Sequence, residues 1–406
     1  MMEHILRNAT DAYSREAALD RIVRSDACTY CEFQVVLTNS SSLADDLARI
    51  RLDRPVLIYD AVRPVKKWKV EYFLAESRFD NANVSVIEMP AGPDALLPFP
   101  EYIEKHRTEI EDGGADTSGY AESQNVLLHA QRWMSVRKFA DLCARGEARN
   151  LIVTNNILGE RFSHLYEPWL GEDYLDEIAP VHGALENAAW EAGIPQVFVA
   201  GPWEDATERI KRWVRLVHEA PDAERHERVR KFDMFRKRVR EVKREEYLRD
   251  AANMSGMAMR NKYQRPDDSF TIPPVLFMGQ HLSGLYSHSH QRASQSALHG
   301  YRFWYTKSLD ARERKEEPFA SAFDYFIHSF DRKKDEARYC PDNKLRSHDR
   351  HRCERGLHAV CCQPPGSLVL LPDQWQHSVI GWAEDERGGP VPIDHKGEMT
   401  ISMSYQ

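Results

Sequence analysis

Long apolar runs and regularly spaced cysteines are both missing from this 406-residue sequence. No stretch approaches the roughly 18 apolar residues that a membrane-crossing helix needs. The amino-terminal "MMEHILRNATDAYSREAALDRIVRSD" mixes acids with arginines where a leader would carry an apolar core, so no secretion signal is expected. Seven irregularly spaced cysteines in so long a chain do not make a disulfide framework. A reducing compartment, cytosol or nucleus, is the expected setting. Basic charge is also not in excess, and a net charge of -8 argues against wholesale coating of nucleic acid. What is present is 42% hydrophobic content, enough to bury a large core, so a soluble globular protein is expected.

Strand and helix patterns alternate along residues 1–90. "CEFQVVLT" and "RPVLIYDA" have the β-branched and apolar character of strands, and a helix pattern leads into "NVSVIEMP", closed by Pro90. Residues 91–203 read as irregular and helical. They begin with a long surface excursion containing a short helix, followed by the helix "MSVRKFADLCARG", with Gly146 as its stop, and the strand "NLIVTNN". Residues 204–265 are dominated by Arg, Lys and Glu with apolar positions at helical spacing, a basic helical insertion. The β-pattern resumes over 266–406 through "IPPVLFMG", "SALHGYRFWYTKS", "GSLVLLP" and "TISMSY", interrupted by a charged stretch at 310–355. The expected class is α+β.

The histidines of "LYSHSHQRASQSALHGYRFWY" carry the first chemical signal. In a strand, residues two apart share a face, so His288 and His290 can point at one spot. Neutral imidazole is the commonest protein ligand for transition metals. A third histidine, His377, follows a Gly turn, an apolar strand and Pro372 in "PPGSLVLLPDQWQHSV". Antiparallel strands folded over one another could bring it opposite the first two.

These motifs, Gly366, Pro372 and His377 in one segment and the HxH pair before "HGYRFWY" in the other, resemble the cupin superfamily and within it the Jumonji C or cupin-like oxygenases. "RPVLIYDAVRPVKKWKVEYFLAESRFDNANVSVIEMP" is similar to that family's amino-terminal segment, and "TISMSY" resembles its closing strand. The resemblance implies a double-stranded β-helix (cupin or jelly-roll barrel) with helical decoration, holding Fe(II) on His288, His290 and His377. It implies 2-oxoglutarate as co-substrate, anchored by Arg302 where the family has a lysine, with Ser404 standing where it has an asparagine and Tyr305 and Trp375 as pocket walls. Where the family offers a carboxylate, this chain has His290, which leaves the site one charge more positive. The implied activity is hydroxylation of a protein or RNA by a metal-dependent dioxygenase. The rival reading is a catalytically inactive barrel that serves as a scaffold or assembly factor.

Other clusters read as follows. "CTYC" at Cys28 and Cys31 reads as the edge of a packed strand. "RYCPDNKLRSHDRHRCERGLHAVCC" has thiols and imidazoles enough for zinc, at a spacing unlike standard fingers, and an exposed loop is preferred. Residues 225–249 hold 11 Lys or Arg against 5 acids, with Val229, Phe232, Phe235, Val239 and Val242 on one helical stripe. The opposite face is a solvated surface or a site for RNA or an acidic protein. If it tracks phosphates, reversing charge at Arg236, Lys237, Arg238 and Arg240 is expected to weaken RNA association and flatten its salt dependence in filter-binding titrations.

Overall fold

The computed structural model describes residues 9, 11–25, 28–38, 46, 50, 54–62, 64–112, 132–156, 275–289, 293–308, 317–330, 358–372 and 375–405. Residues 1–155 and 275–404 form one compact unit, and 156–274 with 405–406 a second. The basic segment at 204–265 lies outside the described residues, as do His290 and residues 340–353.

Twelve strands are described: β1 (Gln34–Leu37), β2 (Val56–Tyr59), β3 (Asn83–Glu88), β4 (Arg132–Ser135), β5 (Leu151–Asn156), β6 (Val275–Gln280), β7 (Ala293–His299), β8 (Tyr301–Ser308), β9 (His358–Gln363), β10 (Leu368–Leu371), β11 (Trp375–Trp382) and β12 (Met399–Tyr405). The α-helices among the described residues are α1 (Ala12–Arg24), α2 (Val70–Ala75), α3 (Phe99–Asp112), α4 (Val136–Ala144) and α5 (Ala322–His328). The strands make a nine-stranded sheet in the order β1-β2-β10-β7-β12-β6-β5-β3-β4 and a three-stranded sheet β11-β8-β9. Pairing is mostly antiparallel, with β1 and β2 parallel. The class is α+β.

Both edges of the small sheet are extended by irregular chain. Residues 30–32 run along β9, with Glu32 N–H donating to Val360 O (2.9 Å) and Cys362 N–H to Tyr30 O (2.8 Å). Residues 282–288 run along β11, with Leu282 N–H donating to Gly381 O (2.7 Å), Gly381 N–H to Ser283 O (2.8 Å) and His288 N–H to His377 O (3.0 Å). These borrowed strands satisfy edge N–H and C=O groups that burial would otherwise leave costly.

Strand alternation gives the small sheet two chemically different faces. Tyr301, Phe303, Tyr305, Ile380 and Trp382 point outward and are covered by α1 and α5. Helix α1 presents Ala18, Leu19, Ile22 and Val23, a stripe at helical spacing, and Asp11 caps it by accepting from Ser14 N–H. Trp304 points to the other side, where it packs with Leu57, Val369 and Leu371 from the large sheet. Gly300 makes the corner between β7 and β8 at φ +73, and a Cβ there would meet Trp382 O at 2.8 Å, so glycine is required.

Three expectations change. The short helix expected in the excursion after Ala91 is the 14-residue α3, and it is not a surface element, since its Phe99 and Ile103 are buried against Phe319. The charged stretch at 310–355 contains α5, with Phe323, Tyr325, Phe326 and Ile327 buried. "HAVCCQ", read as loop, is the buried strand β9. Its cysteines are paired with the "CTYC" motif, Cys362 with Cys28 and Cys361 with Cys31. Cys143 is free and buried. Thus a disulfide pair does occur where none was expected, because its halves stand 334 and 330 residues apart and no local spacing signals it.

In the chain-entropy account, closing a loop of that length stabilises by on the order of 5 kcal/mol. Only the first cross-link earns this, since with one in place the second closes a ring of a few residues. Replacing Cys28 and Cys362 together by alanine is therefore expected to cost little of this entropic term, and so is replacing Cys31 and Cys361. Removing both pairs should lose most of it, a non-additivity readable by urea unfolding of the oxidised protein.

Candidate metal and anion site

His288 and His377 are bound to each other through their backbones. His288 N–H donates to His377 O at 3.0 Å, and His377 N–H returns a bond to His288 O at 2.8 Å. Residues so opposed project from the same face, and the two imidazole centroids lie 4.4 Å apart. Each ring is oriented by a carbonyl two residues earlier in sequence. His288 Nδ1 stands 2.8 Å from Tyr286 O, and His377 Nδ1 stands 2.9 Å from Trp375 O. A carbonyl only accepts, so in the neutral ring the proton sits on Nδ1 and the lone pair on Nε2, the arrangement of metal-ligating histidines.

Side-chain bonds brace this junction. Ser378 Oγ donates to Leu285 O (2.9 Å), and Gln376 Nε2 donates to Ser287 Oγ (3.1 Å). The Trp304 ring lies 5.9 Å from that of His377. His290, the third expected ligand, lies outside the described residues, and among the described residues no group of three or more His, Cys, Asp or Glu side chains gathers. The two described histidines fit a transition metal in donor type and ring orientation.

The register of β8 on β11 pairs His377 with Thr306 and Gly381 with Arg302. Residues separated by an even count share a face, so Arg302, Trp304 and Thr306 line the same inner surface as His377. Arg302 is fully buried, and burial pushes its guanidinium pKa down to about 9. Nη1 donates to Thr400 Oγ1, whereas Nε has no hydrogen-bond partner among the described residues. Among the described residues no carboxylate offsets its burial.

Gly381 makes this placement possible. A Cβ at that position would lie 2.6 Å from Arg302 Nη1 and would collide with Thr400 Oγ1. Thr400 is followed on its face of β12 by Ser402 and Ser404, all three buried. Ser404 is thereby carried about 13 Å along the strand from the Arg302 contact, at roughly 3.3 Å per residue. Gln363 ties the inner surface together: its Oε1 accepts from Trp304 Nε1 (2.7 Å) and its Nε2 donates to Gln295 O (2.9 Å) and Ser367 O (3.0 Å). Gln295 Oε1 is buried without a hydrogen-bond partner.

Tyr305 does not share this surface. One residue from Trp304, it faces outward and stacks on Tyr325 with ring centroids 5.2 Å apart, within the cluster that includes Phe326 and Ile380. The tyrosine expected to wall the pocket is thus part of the helix-covered core, and Trp304 takes the inner position. Trp375, by its register, stays on the His377 side.

In the set once weighed for zinc, Cys361 and Cys362 are taken by cystines and His358 is buried with its ring 4.6 Å from Phe330. Thr400 and Gly381 had no motif to announce them. The only signals were an alternation of hydroxyls in "TISMSY" and a glycine inside an apolar strand, which often marks a close approach. No family model and no curated protein sequence matches the chain.

A buried guanidinium without a counter-charge costs stability. Arg302→Met, which keeps the length and removes the charge, is expected to raise the unfolding free energy by on the order of 1–3 kcal/mol. A loss of stability in urea titration would show that the charge is compensated.

Proposed function

We propose that the chain is an Fe(II)- and 2-oxoglutarate-dependent dioxygenase of the Jumonji C-like type, hydroxylating a protein or RNA. The observation that carries this reading is the sharing of one inner surface by an oriented histidine pair and a buried arginine that lacks an acid. The accompanying fold is a double-stranded β-helix. Its support is the strand order: β6, β12, β7 and β10 are adjacent in the large sheet, and the segment 282–288, β11, β8 and β9 are adjacent in the small one. From β6 onward the chain changes sheet at every step, with 282–288 counted as a strand, except between β8 and β9, which are neighbours in the small sheet, as such a barrel requires.

In this mechanism His288 and His377 hold the metal through Nε2, with His290 as the third ligand. Bound there, iron(II) supplies the redox chemistry that dioxygen activation needs. Arg302 grips the distal carboxylate of 2-oxoglutarate, and its planar fork suits a two-bond contact. Thr400 steers the guanidinium, and Gly381 leaves room for it. Four strand residues separate Arg302 from Thr306, the partner of His377, or about 13 Å between backbones. Two inward side chains and a five-carbon diacid can span that distance. Trp304 and Trp375 exclude water beside the histidines, and Ser404 offers a hydroxyl further along β12. Residues 225–249 would guide the macromolecular substrate.

The inactive-scaffold reading draws on His290 standing where a carboxylate is usual. Binding and turnover separate the two. His377→Ala should lose most bound iron by elemental analysis, because one of the three converging imidazoles is removed. Arg302→Ala should keep its iron and weaken anaerobic 2-oxoglutarate binding by about 10- to 100-fold, the worth of a charge-assisted contact. Wild-type protein that holds iron and ignores 2-oxoglutarate would overturn the oxygenase. Binding of both without succinate formation with any offered protein or RNA would favour the scaffold.

A further inference from the structure

The cystines sit on one strand but on opposite faces. Cys361 turns inward, into the cluster with Trp304, Val369, Leu371 and Phe33, while Cys362 turns outward among Phe303, Tyr305 and Val360. Their partners Cys31 and Cys28 lie on the segment that borders β9, so the segment is pinned from both sides of the sheet. Chain entropy accounts for one cross-link of this kind and leaves the second without a stabilising role. Solvent access is also unequal. Cys28, Cys361 and Cys362 are fully buried, whereas Cys31 is partly exposed. Finally, Cys28 and Cys31 are themselves spaced as CxxC, the separation at which two cysteines exchange readily with each other.

We propose that Cys28, Cys31, Cys361 and Cys362 form a thiol–disulfide exchange site, a latch that low-molecular-weight thiols open through Cys31. A thiolate attacks Cys31 Sγ, the Cys31–Cys361 bond breaks and Cys361 leaves as a thiolate that takes up a proton. A second thiol displaces the first from Cys31, so that two thiols become one small disulfide and the protein gains two electrons and two protons. The freed Cys31 thiolate then attacks Cys28 Sγ, forming Cys28–Cys31 and expelling Cys362 as a thiol. That last step is an isomerisation with no net electron transfer. A single two-electron reduction thus removes both bonds to β9 and leaves Cys361 and Cys362 as a dithiol.

The consequence is local. Cys31 and Phe33 pack against the inner cluster that contains Trp304, and Gln363, next to Cys362, holds the Trp304 indole. Releasing 28–33 uncovers that edge of the inner surface. The latch does not depend on what the histidines bind.

The test uses the full-length oxidised protein, one equivalent of dithiothreitol, alkylation and mass spectrometry of the cross-linked peptides. The expected product carries a Cys28–Cys31 bond with Cys361 and Cys362 both alkylated, and amide exchange at Glu32 and Cys362 rises at least tenfold. In Cys31→Ser, which keeps the other cystine, Cys28–Cys362 should survive the same treatment. Loss of Cys31–Cys361 with Cys28–Cys362 intact in the wild type would overturn the exchange. So would four free thiols in protein both as isolated and after treatment with oxidised glutathione.

Discussion

A guanidinium held between two sheets without an acid beside it is the constraint around which the described structure is arranged. Arg302 is fully buried, and among the described residues its charge is met by a threonine hydroxyl. Everything adjacent yields to that placement. Gly381 has no side chain because one would strike the guanidinium, and Gly300 turns β7 into β8 against the same threonine. A fold selected only for stability would put an apolar residue there. The position is intelligible if an anion completes it.

The histidine junction follows a different logic, in which backbone bonds set side-chain chemistry. The segment 282–288 has no regular strand assignment, yet its hydrogen bonds to β11 place His288 directly opposite His377. The carbonyls that orient the rings belong to Tyr286 and Trp375, residues of the same two strands. Pairing and ring orientation therefore arise together, and a slip of one residue in either strand would send one imidazole to the other face.

The sequence made part of this legible. The apolar runs of β2, β3, β6, β10 and β12 stood out because buried strands are short and bounded by turn residues. His288 and His377 were singled out through motif context, and Arg302 as the basic residue two positions after Gly300. Tyr305 was placed on the wrong face because its aromatic character was weighed without its position, three residues from Arg302, which strand alternation sends to the opposite side. Thr400 was passed over since it meets Arg302 across 98 residues. Strand β9 was missed because "HAVCCQ" shares its histidine and cysteines with the charged stretch before it, and only the long-range pairing explains them.

The cystines also alter what a break in the chain means. They close residues 31 to 361 into a covalent circle that includes all of 156–274. A protease that cut once anywhere within that circle would produce no separable fragment, only an opened ring whose two arms stay joined at β9. Gel mobility under oxidising conditions would then understate cleavage. The extent of nicking is visible only after the sulfur bonds are broken.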